Sequence, residues 1–223
     1  MTLDPTLHFL RSGYEQRFPP EYFTDVDDDG VTWQPDVYPA TLALAKAHGR
    51  DTVIDLGCGR AAKLVALTAA DPTIEVVGVD YGSNIAWCRD NYETGRWIET
   101  DLETATSLDL APETVARSVI VCCDVLEHLV DPRPAMRLIY GLLNQGAAFA
   151  VLSTPARDRR SGTGNLAQPR NTAHVREWAQ DEFRAFVESF PLDVERAELT
   201  RSDDAGGGLT TQLVVVRDAE TVR

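Results

Sequence analysis

The stretch Asp55-Leu56-Gly57-Cys58-Gly59-Arg60-Ala61 has the residue types to hold a nucleotide-like ligand against the main chain. Glycines let such a ligand approach the backbone, and the helix formers from Lys63 to Ala70 place free N–H groups and a positive dipole end opposite it. Asp55, two residues before the first glycine, can accept a hydrogen bond from a ligand ammonium or order the loop. Asp80 and Asp101 each close a strand-like segment; the first is placed to grip ribose hydroxyls and the second to accept from an adenine amino group. Cys123-Asp124 closes a further apolar run. The glycine loop alone is ambiguous, because Gly57-x-Gly59-x-x-Ala62 also satisfies the dinucleotide fingerprint. A nicotinamide enzyme explains Asp80 but gives Asp55 and Asp101 no role, and it normally needs a second substrate domain.

These residues require a framework that brings strand ends to one edge. After a loosely amphipathic helix over 35–48, stopped at Gly49, the pattern alternates. Strand 52–56 precedes helix 61–70, strand 75–80 precedes helix 83–92, and a short strand covers 96–100. Strand 117–123 precedes helix 134–143, and strand 147–153 runs into a polar stretch over 155–173. Helix 179–189 follows, then strands 192–199 and 209–217 around Gly206-Gly207-Gly208. Continuous apolar strands separated by helices predict a parallel sheet covered on both faces. The expectation is an α/β fold, Rossmann-like and doubly wound, whose mostly parallel seven-stranded sheet ends in an antiparallel hairpin. Residues 1–34 read as an N-terminal arm or lid, 35–217 as the domain with an acceptor-loop insertion at 155–175, and 218–223 as a tail.

The glycine loop and its three aspartates, in this order, resemble the class I S-adenosylmethionine-dependent methyltransferases over roughly residues 35–217. The sequence departs from the family's D-x-G-x-G-x-G loop at Ala61, where a third glycine is usual. The resemblance implies S-adenosylmethionine as cofactor, bound by Asp55, Gly57, Cys58, Gly59, Asp80, Tyr81, Asp101, Leu102 and Cys123. It also sharpens Asp124-Val125-Leu126-Glu127-His128. An acid-x-x-Glu-His run with a later histidine, here His174, is similar to methyltransferases that modify the terminal ribose of small RNAs or catechol-type hydroxyls. In those, a divalent metal holds the acceptor oxygens.

The resemblance therefore implies catalytic roles for Glu127, His128 and His174. It also implies a metal site, for Mg, Mn or Zn, of Asp124, Glu127, His128 and His174. Two simpler readings stay open: Glu127-His128 capping a helix, or His128 or His174 acting as a metal-free base. The expected reaction is O-methylation of a small polyhydroxylated or glycosylated metabolite. N-methylation, or a silent cofactor-binding module, are the alternatives.

Composition narrows the rest. Net charge is −14 over 223 residues, which disfavours a nucleic-acid partner held by a general positive field. No apolar run is long enough to span a bilayer and no signal-peptide pattern opens the chain, so a cytoplasmic protein without a membrane partner is expected. The four cysteines, two of them adjacent, read as reduced thiols. The oligomeric state is not legible. The arginines of 155–173 could bind a phosphate or carboxylate on the acceptor, Arg176 and Trp178 read as structural, and Gln34 and Tyr38 as candidate lid residues. Asp25-x-Asp27-x-Asp29-Gly30 with Asp36 imitates a calcium loop and reads as a solvated acidic turn.

Overall fold

Burial on both faces explains why the strands are apolar at every position. The computed structural model describes residues 8–19 and 30–219, and within them one sheet runs in the order β3-β2-β1-β4-β5-β7-β6. Its strands are β1 (Thr52–Leu56), β2 (Glu75–Asp80), β3 (Arg96–Glu99), β4 (Ser118–Cys123), β5 (Ala150–Pro155), β6 (Leu192–Arg201) and β7 (Leu209–Asp218). The first five are parallel, while β7 pairs antiparallel with both β5 and β6.

Alternate side chains leave each strand on opposite faces. Ile54, Leu56, Val77, Val79, Ile120 and Cys122 pack toward α5 (Arg133–Asn144) and α7 (Gln180–Glu188). Val53, Val76, Val119 and Val121 pack toward α1 (Val37–Ala47), α2 (Ala62–Ala70) and α3 (Ser83–Asn91). Each fully buried aliphatic contributes about 1.5–3 kcal/mol. The strand order reverses between β1 and β4, and ligands of open α/β sheets bind outside the strand ends at that point.

Most element ends fall within one or two residues of the sequence expectation, and three features depart further. β5 begins at Ala150, because its ladder starts where Ala150 meets Ile120 of β4 and Val216 of β7. Two short helices were not expected: α4 (Pro112–Ala116) lies in a stretch given no element, and α6 (Arg157–Arg160) in the polar stretch over 155–173. Neither is long enough to display a helical period.

The N-terminal pieces tie down loops at the carboxyl edge of the sheet. Residues 8–19 strap the 165–178 loop: Glu15 N donates to Leu166 O (2.8 Å), Arg17 N to Val175 O (2.9 Å) and Trp178 Nε1 to His8 O (2.9 Å). Leu10 enters the core. Further on, Trp33 bridges Asp203, Gln34 N donates to Ser202 O (2.8 Å), and the Asp36 carboxylate accepts from the Arg201 guanidinium. Asp36, the twelfth position of the calcium-loop imitation, is therefore engaged by arginine. Asp25, Asp27 and Asp29 lie outside the described residues, as do 1–7 and 20–29 of the expected arm and 220–223 of the tail. Among the described residues, no helix is long and apolar enough to cross a membrane.

Candidate functional site

The glycine loop leaves β1 at the reversal point. Gly57 has φ +87°, and a Cβ there would stand 2.3 Å from Val125 Cγ2 in the turn after β4, so the position admits only glycine. The third glycine position, Ala61, also has positive φ, +59°, so the departure from the family pattern strains the backbone as well as adding a methyl group. Asp80 orients the loop by accepting from Gly59 N (2.7 Å), Tyr81 N (2.7 Å) and Asn84 Nδ2 (3.2 Å). Asp101 caps the next turn, accepting from Glu103 N (2.9 Å) and Thr104 Oγ1 (3.1 Å). Tyr81 is exposed, Leu102, Cys58 and Cys123 are buried, and all four cysteines are free thiols.

Asp55 lies deeper than a surface ligand group. It is fully buried, and Tyr38 Oη donates to its Oδ2 (2.7 Å) while Oδ1 has no partner. Burial raises its pKa to about 7, against the opposing pull of the Tyr38 hydrogen bond and of Lys63. Tyr38, expected as a lid, is thus buried in α1 as the support of Asp55.

Beyond β4 the chain turns sharply. Asp124 has φ +60°, an uncommon conformation for a non-glycine residue, and Asp124 N donates to Ser153 O (3.2 Å). Residues 124–129 form turns rather than a helix, which removes the helix-cap reading of Glu127-His128. Val175 N donates to Glu127 O (2.8 Å), and Arg176 donates to Leu129 O and Val130 O (2.7 Å each), so the loop before α7 is stitched onto this turn. Arg176 and Trp178, stacked on Phe186, are accordingly structural.

That stitching brings Asp124, Glu127, His128 and His174 together, with one ligand atom from each within 4.8 Å of the others. The two imidazoles meet edge to face at 4.6 Å. His128 Nδ1 lies 3.1 Å from Ala173 O, a pure acceptor, which puts the ring's lone pair on Nε2. His174 Nδ1 lies 2.9 Å from Glu177 Oε1, and its Nε2 lies 3.0 Å from Asn171 Nδ2, which puts that lone pair on Nε2 too. Burial, reinforced by His174, lowers the His128 pKa to about 4, so the ring is neutral at pH 7. Glu127 is fully buried, with the facing Asp124 carboxyl and the Thr154 hydroxyl as its polar neighbours. Burial and the facing Asp124 push the Glu127 carboxyl well above the usual carboxylate range, so in the bare chain the two acids share a proton. Two imidazoles and two facing carboxyl groups, with one ligand atom of each close to the others, fit a divalent cation.

Gln34 completes the edge, and sequence reasoning named it only as a lid. It is buried with φ +49°, its amide nitrogen donates to Asp124 Oδ1 (2.8 Å), and its amide oxygen accepts from Ser153 Oγ (2.6 Å). The expected phosphate-binding arginines divide. Arg157 is buried against Glu182 (2.7 Å) and unavailable to a ligand, whereas Arg160 and Arg170 are exposed.

A family model described as a methyltransferase domain matches residues 35–197. The chain belongs to the class I S-adenosylmethionine-dependent methyltransferases. A relative in Synechococcus is 25% identical over 139 residues, 60% of this chain and 33% of that protein. A methyltransferase of Mycobacterium bovis, itself uncharacterised, is 26% identical over 130 residues, 58% of this chain. The methyltransferase thus spans 33% to 64% of the length of these curated relatives. Among solved structures, the methyltransferase domain of a bacterial Hen1 superposes with a TM-score of 0.59 at 22% identity, covering 82% of this chain and 97% of that one. That likeness establishes the fold.

Glu177 and Asn171, which orient His174, were not read from the sequence. A carboxylate three residues after a histidine is a weak signal, informative only once the histidine is known to face a site.

Proposed function

We propose that the chain transfers the methyl group of S-adenosylmethionine to a hydroxyl of a small polyhydroxylated or glycosylated metabolite. The observation that carries this reading is the Glu127 carboxyl, buried among Asp124, His128 and His174 at the end of β4. Asp55, Gly57, Cys58, Gly59, Asp80, Tyr81, Asp101, Leu102 and Cys123 bind the cofactor in this reading. Asp80 takes the ribose hydroxyls, Asp101 the adenine amino group and Asp55 the ammonium.

Asp124, Glu127, His128 and His174 would hold Mg, Mn or Zn. The cation, when bound, lowers the pKa of the acceptor hydroxyl. The protein's own part is mostly alignment: the turn after β4 orients the acceptor oxygen in line with the sulfonium methyl and excludes water. Glu177 fixes the tautomer of His174, as carboxylates behind metal-bound histidines do.

The test is calorimetric titration of S-adenosylhomocysteine, with and without Mn²⁺, on wild type and on the His128→Ala/His174→Ala variant. Both proteins should bind S-adenosylhomocysteine and only wild type should bind Mn²⁺. A metal-blind wild type would refute the metal role, and a protein that ignores S-adenosylhomocysteine would refute the whole reading.

Asp55 adds a pH dependence. Its folded pKa, about 7, lies above its unfolded value, so the bare protein loses stability as pH rises toward and through 7. A ligand ammonium requires the ionised form. Affinity for S-adenosylhomocysteine should therefore climb by up to about tenfold per pH unit toward 7 and then level off. Asp55→Asn should flatten that profile; an unchanged profile would show that the ammonium binds elsewhere.

A further inference from the structure

The 155–176 segment concentrates cations in an acidic protein. It holds Arg157, Arg159, Arg160, Arg170 and Arg176 while the whole chain carries −14. Arg157 and Arg176 are consumed inside the fold. Arg160 and Arg170 instead line a shallow cleft of about 50 Å³ together with Ser161 and Glu177. Arg170 makes no hydrogen bond or ion pair among the described residues. Arg160 Nη1 meets Glu177 Oε1 at 3.2 Å, and that same oxygen accepts from His174 Nδ1 at 2.9 Å. The only carboxylate of the cleft is therefore already occupied by a guanidinium and an imidazole N–H, which leaves the cleft with a positive excess.

We infer that this cleft is an anion subsite and that the acceptor is a phosphorylated polyol. Its phosphate lies between Arg160, Arg170 and Ser161, and its hydroxyl lies at the Asp124/Glu127/His128/His174 cluster. Two guanidiniums and a hydroxyl supply a fan of donors suited to a phosphate's oxygens. Glu177, one wall of the cleft, is also the residue that orients His174, so an occupied cleft and the methyl-acceptor cluster share a hydrogen-bonded side chain. A small phosphate ester suits two arginines in a chain of this charge better than a polyanion does. The inference rests on the O-methyltransferase reading for the hydroxyl, and on the cleft alone for the phosphate.

The experiment is calorimetric titration of ribose 5-phosphate, inorganic phosphate and ribose into the protein loaded with S-adenosylhomocysteine and Mn²⁺. It is run on wild type and on Arg160→Gln/Arg170→Gln. Ribose 5-phosphate should bind more tightly than either fragment and weaken about tenfold or more in the variant, as expected for lost charge-assisted hydrogen bonds. Binding of S-adenosylhomocysteine should not change in the variant, which establishes that it is folded. Equal affinity in wild type and variant, or no binding of either phosphate, overturns the subsite. Glucuronate or a short RNA outcompeting ribose 5-phosphate in an arginine-dependent manner overturns the assignment to a small phosphate ester. Arginine-dependent phosphate binding in a protein that takes no Mn²⁺ would instead leave the subsite standing and remove the metal-assisted reading.

Discussion

Replacing Glu127 by methionine is expected to make the protein more stable and to abolish Mn²⁺ binding and methyl transfer together. The side chain is fully buried against a second acid, Asp124, with which it must share a proton. An under-satisfied buried polar group costs about 1–3 kcal/mol. Methionine fills a similar volume with no polar group to satisfy, so the unfolding free energy in urea should rise by about 1–2 kcal/mol. Losing a positioned acid or base costs about 10²- to 10⁴-fold in rate. Binding of S-adenosylhomocysteine, whose expected contacts lie on β1, β2 and the turn after β3, should be untouched. A Glu127→Met protein that is less stable, or that keeps its Mn²⁺ affinity, would show that Glu127 is held by structure and not by function.

The second large effect is expected at Arg157. Its guanidinium is buried, pairs with Glu182 Oε1 (2.7 Å), donates to Glu177 O (3.0 Å) and stacks over Tyr14. Glu182 in turn caps α7 by accepting from Ala179 N (2.8 Å), and it also receives Arg11 N (2.9 Å). Removing one partner of a buried ion pair costs about 3–5 kcal/mol, and here leaves Glu182 only the longer contact with Arg11 Nε at 3.7 Å. Arg157→Met should therefore lower stability by that amount in urea titration. Adding Glu182→Gln should recover part of the loss, because the amide carries no charge yet still accepts from Ala179 N. The pair clamps both ends of the 161–178 loop, so Mn²⁺ affinity should fall in Arg157→Met even where the protein stays folded. A loss under about 1 kcal/mol would mean that water or another acceptor relieves Glu182.

Much of this architecture was readable because parallel strands buried on two faces must be apolar throughout. β1 and β2 were placed to the residue, and the three strand-end aspartates followed from that placement. β5 was read too early because Ala147-Ala148-Phe149 is as apolar as the strand it introduces, and only its cross-strand partners mark where pairing starts. α4 and α6 were missed because four or five residues display no period. On the acceptor side, Asp124, Glu127 and His128 are neighbours in sequence and visible as a run. Their convergence with His174 depends on backbone bonds between residues 127 and 175–176, which no local pattern announces. Gln34, Asn171 and Glu177 were hidden for the same reason. Each acts by meeting a distant group, and amides or carboxylates in a loop are otherwise unremarked surface residues.

The seat of Gln34 has a consequence for how the protein is made. Asp124 is steadied by a residue near the start of the chain, which is itself anchored on Ser202 and, through Trp33, on Asp203, near the end. During synthesis the nucleotide-binding half, with its local β-α units, emerges long before β6 and β7. A nascent chain still tethered at the ribosome near residue 190 can therefore assemble the loop around Gly57 but not the closed edge around Asp124. The polypeptide gains the loop around Gly57 first, and the edge around Asp124 closes only once β6 and β7 have emerged.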